Sequence, residues 1–121
     1  MSALDEGVAN YAKHADAIET LTMDLIVAEE ILEELRMERA LESARLELTE
    51  EVQAGKNEGA RKANLLLAES RDERYRDVAA RLRKQQTKVS MLKAQIEREQ
   101  NAKAQWSLHL RGIAGINVRD E

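Results

Sequence analysis

The residues of this chain that could do chemistry are two histidines, a row of carboxylates in its first half and a run of bases in its second. His14 and His109 are the imidazole candidates, and folding the chain back near its centre brings both toward one end. Two imidazoles without a third ligand do not make a zinc site. Glu29, Glu30, Glu33 and Glu34 supply carboxylates at close spacing. Di-iron bundles, however, need Glu-x-x-His pairs, and no Glu here has a His three residues later. Gly55-Lys56-Asn57-Glu58-Gly59 sets a lysine between glycines, but a phosphate-cradling loop needs four residues between them, then Lys and Ser or Thr, after a strand. The chain has no cysteine, which removes disulfides, thiolate catalysis and zinc–thiolate sites. These residues predict no catalytic group, no metal, no cofactor and no small-molecule substrate. The protein reads as non-enzymatic.

The bases are a stronger candidate. Arg71, Arg74, Arg76, Arg81, Arg83, Lys84 and Lys88 fall within one stretch, and such a cluster could neutralise phosphates with the salt sensitivity that counterion release imposes. Arg74, Arg76, Arg81, Arg83, Lys84 and Lys88 are the candidate nucleic-acid contacts on this reading. Three features compete with it. Asp72, Glu73 and Asp77 are interleaved, the bases point around a helix rather than along one stripe, and aromatics to stack on bases are scarce. Pairing with acids of the first half is the main alternative.

The elements that hold these groups follow from charge and periodicity. Residues 1–55 carry a net −10 and residues 56–121 a net +6, closing at the chain's −4. Charged residues make up 35% and aromatics 2%, with no Phe and no Pro, so long helices with a narrow aliphatic seam are favoured over a broad core. Helix 1 is expected over about 8–54, although Ser2 with Asp5 offers a cap for an earlier turn. Gly55 suits a left-handed helix end and Asn57 an N-cap, which frames a turn over 55–59. Helix 2 is expected over about 58–111, ending at Gly112, with 112–121 as a frayed tail or docked through Ile113, Ile116 and Val118. At about 1.5 Å rise per residue, each helix would be about 70 to 80 Å long.

Heptad spacing places Ile18, Leu21, Leu25, Ala28, Leu32 and Leu35 on one face of helix 1. Helix 2 answers with Ala68, Tyr75, Val78, Leu82, Val89, Leu92, Ile96, Trp106 and Leu110. Gln85, Glu99 and Lys103 interrupt that series. Antiparallel closure sets Leu25 level with Val89, Leu32 with Leu82 and Ile18 with Ile96, within about half a heptad. A second stripe of Met37, Leu41, Ala44, Leu48 and Val52 lies on a different face of helix 1. Ile26, Met37 and Leu48 recur at eleven, which keeps a nearly straight helix in phase.

The run Asn57-Glu58-Gly59-Ala60-Arg61-Lys62-Ala63, with Asp72-Glu73-Arg74-Tyr75 and Leu82-Arg83-Lys84, resembles a segment of small coiled-coil proteins encoded by phages and prophages. The resemblance covers residues 57–110 and implies a helical hairpin with an accessory role, and no site residues. The secreted WXG100 hairpins are similar in size, but they carry Trp in the turn, which this chain lacks.

The sequence thus predicts an all-α antiparallel helical hairpin over 1–121. It dimerises into a four-helix core around Leu21, Leu25, Leu32, Leu35, Val78, Leu82, Val89, Leu92 and Ile96. Residues 18–35 are apolar on two sides, and Ile18, Leu21, Met23, Leu25, Ile26, Val27, Leu32 and Leu35 are the candidate interface to a second copy or another protein. The first six residues lack the basic and apolar regions of a signal peptide, and no apolar run approaches membrane length. A cytoplasmic protein without a membrane role is expected.

Overall fold

A computed structural model describes residues 2–119, and side chains through residue 115. Among the described residues every element is a helix: α1 (Ala3–Glu47), α2 (Glu50–Gln53), α3 (Glu58–Arg71) and α4 (Glu73–Arg119). The fold is an all-α hairpin in which α1 packs against α4. Its contacts gather into two compact units, Met1–Val27 with Val89–Glu121, and Ala28–Lys88.

Helix α1 starts earlier than the expected Val8. The Ser2 hydroxyl accepts from Asp5 N at 3.1 Å, and Ser2 N donates back to the Asp5 carboxylate at 3.4 Å. This reciprocal cap satisfies donors that the first turn leaves orphaned. Gly7 does not break the helix. It is buried where a Cβ would lie 2.7 Å from Leu110 Cδ2, so glycine there admits the opposite helix.

The first unit holds its two helix stretches antiparallel. Gly7 meets Leu110, Lys103 Nζ stands 5.3 Å from the Tyr11 ring centre, and His14 Nδ1 lies 2.5 Å from Glu99 Oε2. Val89 and Leu92 are buried here, with Ile18, Leu21, Leu25 and Ile96 half-buried.

The second unit is more tightly enclosed. Ala28, Leu32 and Leu35 of α1 and Val78 and Leu82 of α4 are buried, with Leu82 only 1% exposed. Gln85, which breaks the apolar series of α4, donates its side-chain amide to the Ala28 carbonyl at 2.9 Å. Further along, Arg81 reaches Glu38 at 3.0 Å and Arg74 reaches Glu42 at 2.9 Å. Numbers rising on α1 meet numbers falling on α4, as charge and seam spacing require.

Both arms are interrupted near the turn, which the periodicity did not announce. The first arm ends α1 at Glu47 rather than running to Ala54, and Thr49 adopts an extended backbone (φ −73°, ψ 151°) before α2. The Thr49 hydroxyl donates to Leu46 O at 2.7 Å and Gln53 Nε2 to Glu47 O at 2.7 Å. These bonds satisfy carbonyls freed by the break. Asn57 caps α3 as its type suggests, its side-chain oxygen accepting from Ala60 N at 2.8 Å. Gly55 is not left-handed, since no glycine among the described residues has positive φ. Its reason is space: a Cβ there would sit 2.7 Å from Arg61 N. Leu46, Val52 and Ala68, with Leu65 and Tyr75 against them, form the small core of this end.

The second arm breaks at Asp72, whose ψ of 123° leaves the helical region. Helix α4 then continues past Gly112 to Arg119, so the expected helix end at Gly112 is corrected, while residues 120 and 121 of the expected tail lie outside the described residues. Nothing lies within 4 Å of a Cβ built on Gly112 or Gly115, so these glycines sit in exposed helix without a packing role. Any docking of Ile116 and Val118 lies outside the described side chains.

Truncating Leu82 or Leu32 to Ala is expected to cost about 2–5 kcal/mol by chemical denaturation, from lost transfer energy plus a cavity. Met37→Ala should stay within about 0.5 kcal/mol, because Met37 is 63% exposed. Gly112→Ala is expected to stabilise by about 0.5–1 kcal/mol, the usual cost of glycine inside a helix. No change on that substitution would return the helix end to Gly112.

Candidate functional site

The α3–α4 junction collects the best-organised polar groups in the molecule. Asp72 caps α4 by accepting from Tyr75 N at 2.8 Å, and the same oxygen accepts from Arg45 Nη2 at 2.8 Å. Arg45 also donates to Glu42 Oε2 at 2.8 Å, and Arg74 donates to Glu42 Oε1 at 2.9 Å. The Glu42 side chain is 13% exposed and therefore sits between two guanidinium groups with little water. The chain Arg74–Glu42–Arg45–Asp72 ties α1 to the break and to the first turn of α4. Charge-assisted bonds of this kind fix geometry better than neutral ones.

The Tyr75 backbone N–H and the Arg45 guanidinium together hold the Asp72 carboxyl below its usual range. Asp72 and then Glu42 raise Arg45 above its ordinary value, so it stays charged. The Glu69 carboxylate beside it, with burial, raises the Tyr75 phenol. These groups are mutually satisfied and position helices, and Glu69 and Tyr75 also line an open groove beside the break. Among the described residues no group of three or more His, Cys, Asp or Glu side chains could hold a metal. His14 meets Glu99, while His109 stands edge-on to Trp106 with ring centres 5.4 Å apart.

The candidate contacts divide by environment. Arg74 and Arg81 are committed to Glu42 and Glu38, and Arg81 also donates to Asp77 at 3.1 Å. Arg76, Arg83, Lys84 and Lys88 are exposed and make no ion pair with the described residues. Of the interface candidates, Leu32 and Leu35 are buried inside the second unit, so they belong to the intrachain seam. Ile18, Leu21 and Leu25 are half-buried in the first unit, where Met23, Ile26 and Val27 remain exposed.

Two surfaces escaped the predicted interface. In the second unit, Met37 and Leu41 are 63% and 71% exposed on the side of α1 away from its buried residues, and Leu48, just past the end of α1, is 80% exposed. On the other arm, an open groove of about 730 Å³ is lined by Leu66, Tyr75, Arg76, Ala79, Ala80 and Arg83, with Glu69, Ser70, Glu73 and Asp77. The stripe of α1 was legible from spacing alone. The groove was not, because it borders the break at Asp72.

The chain matches no family model, no curated protein and no solved structure. No helix among the described residues is long and apolar enough to cross a membrane.

A carboxylate held below its unfolded pKa contributes stability above that unfolded value and loses it as pH falls through the folded one. The Asp72 contribution is therefore full at neutral pH and fades on acidification below about pH 4. Asp72→Asn is expected to lower the melting temperature at pH 7 and to flatten its fall on acidification below about pH 4. Equal acid sensitivity in both proteins would show that Asp72 does not carry the effect.

Proposed function

We propose that this chain is a non-enzymatic coiled-coil interaction protein acting through protein–protein contacts in the cytoplasm, with a second copy of itself as its first partner. The observation that carries this reading is the exposed stripe of Met37, Leu41 and Leu48 opposite the buried seam of α1. A helix apolar on two sides has more surface to bury than one neighbour covers. Clustered exposed apolar residues mark interaction sites more often than scattered ones do. The homodimer is the minimal assembly. An accessory role in a phage or prophage fits the resemblance of residues 57–110.

Nucleic-acid association is the second reading, resting on the exposed Arg76, Arg83, Lys84 and Lys88. The engagement of Arg74 and Arg81 by α1 carboxylates weakens it. Light scattering on a sizing column separates the readings. Self-association is expected by about 100 µM, and a monomer persisting there would sink the first reading, since it corresponds to less than about 5.5 kcal/mol of binding. A retarded DNA or RNA band that vanishes between about 50 and 200 mM salt would instead favour the second.

A further inference from the structure

The exposed side of α1 in the Ala28–Lys88 unit carries its own heptad series. Glu30, Glu34, Met37, Leu41 and Ala44 follow at intervals of four and three along α1, with Leu48 just past its end, and all six are exposed. The inner series at Ala28, Leu32, Leu35 and Leu46 is buried. The outer series is therefore a coiled-coil seam without an intrachain partner, acidic at its first end and apolar at its second.

We propose that this outer seam docks into the α3–α4 groove of a second copy, so that hairpins add head to tail. This rests on the self-association reading above and gives it a geometry. Two copies set side by side in the same orientation, without a shift, keep the antiparallel register seen inside the unit, where Gln85 meets Ala28, Arg81 meets Glu38 and Arg74 meets Glu42. In that register Glu30 and Glu34 come opposite the exposed Arg83 and Lys84. Met37 and Leu41 come opposite Ala79, Ala80 and the stem of Arg76, and Leu48 comes opposite Leu66, which is 68% exposed. Small alanines leave room for methionine and leucine to enter. Of the groove's acids, Asp77 is held by Arg81 and Glu69 stands against Tyr75, which leaves Glu73 at the apolar end.

A parallel pairing of two such seams puts Glu30 against Glu30 and Glu34 against Glu34, and like charges at facing positions select against it. Seam and groove are also different surfaces, so each contact leaves one of each free. That is a heterologous interface, which closes as a ring or extends as a filament rather than stopping at two.

Complementation tests this. Met37→Lys/Leu41→Lys removes the seam and keeps the groove, and Leu66→Glu/Arg83→Glu does the reverse. All four positions are exposed, and helical circular dichroism checks each fold. Between about 10 and 200 µM the wild-type mass is expected to rise past two chains, and each double variant alone to stay near one. An equimolar mixture should give a 1:1 pair that grows no further. A wild-type plateau at two chains would leave self-association standing and overturn the head-to-tail contact. A monomeric wild type would overturn both. Folded variants that fail to pair when mixed would overturn the assignment of seam to groove.

Discussion

A helical hairpin can bury only one stripe of each helix, and the other properties of this protein follow from how that constraint is met. With few aromatics to fill space, the seam is built from Ala, Val and Leu, and its best-enclosed members are Ala28, Val52 and Leu82. Small side chains allow close helix approach, and Gly7 against Leu110 is the extreme case. Whatever apolar surface exceeds the single stripe stays outside. In α1 that excess is organised at heptad spacing, which distinguishes it from the solitary exposed leucines common on protein surfaces.

Ending such a hairpin requires both arms to stop and reverse while their backbone groups stay satisfied. Here the reversal lies between Gln53 and Glu58, and each arm is also broken, at Thr49 and at Asp72. Thr49 and Gln53 recover the carbonyls of α1, Asn57 caps α3, and Asp72 caps α4. The bonds of Arg45 to Asp72 and of Arg74 to Glu42 join the breaks across the seam. Exposed ion pairs contribute little to stability, but this series includes a carboxylate with little access to water, so it fixes where the second arm bends. The bend borders the groove, which links the local capping chemistry to the surface proposed for self-association.

The charge division between the arms plays a related part. Acids of α1 and bases of α4 meet at Glu38–Arg81 and Glu42–Arg74, which orients the hairpin and takes two guanidinium groups out of any phosphate-binding cluster. The bases left over lie toward one end of the groove. Acids left over on the outer side of α1 lie at the matching height. One asymmetry thus orients closure within a chain and, in the proposed self-association, discrimination between chains.

Local patterns decided much of this in the sequence alone. Heptad spacing, the absence of proline and the opposite charges of the two halves specify two antiparallel helices, and Asn57 marks the start of the second because its cap bond reaches only three residues. The outer stripe of α1 was equally visible, since a single helix sets its own faces. Other features depended on partners distant in sequence. In Arg71-Asp72-Glu73-Arg74 the aspartate reads as one more solvated charge, and only Arg45, 27 residues earlier, shows why the helix breaks there. Leu32 and Leu35 could not be told from interface residues until α4 covered them. Gly112 looked like a helix end because the local signal is the same whether or not the chain continues. The sequence determined the helices and their faces, because those are set by residues three and four apart. Tertiary packing decided which face is buried inside the chain and which stays exposed, because that choice depends on what the fold brings alongside.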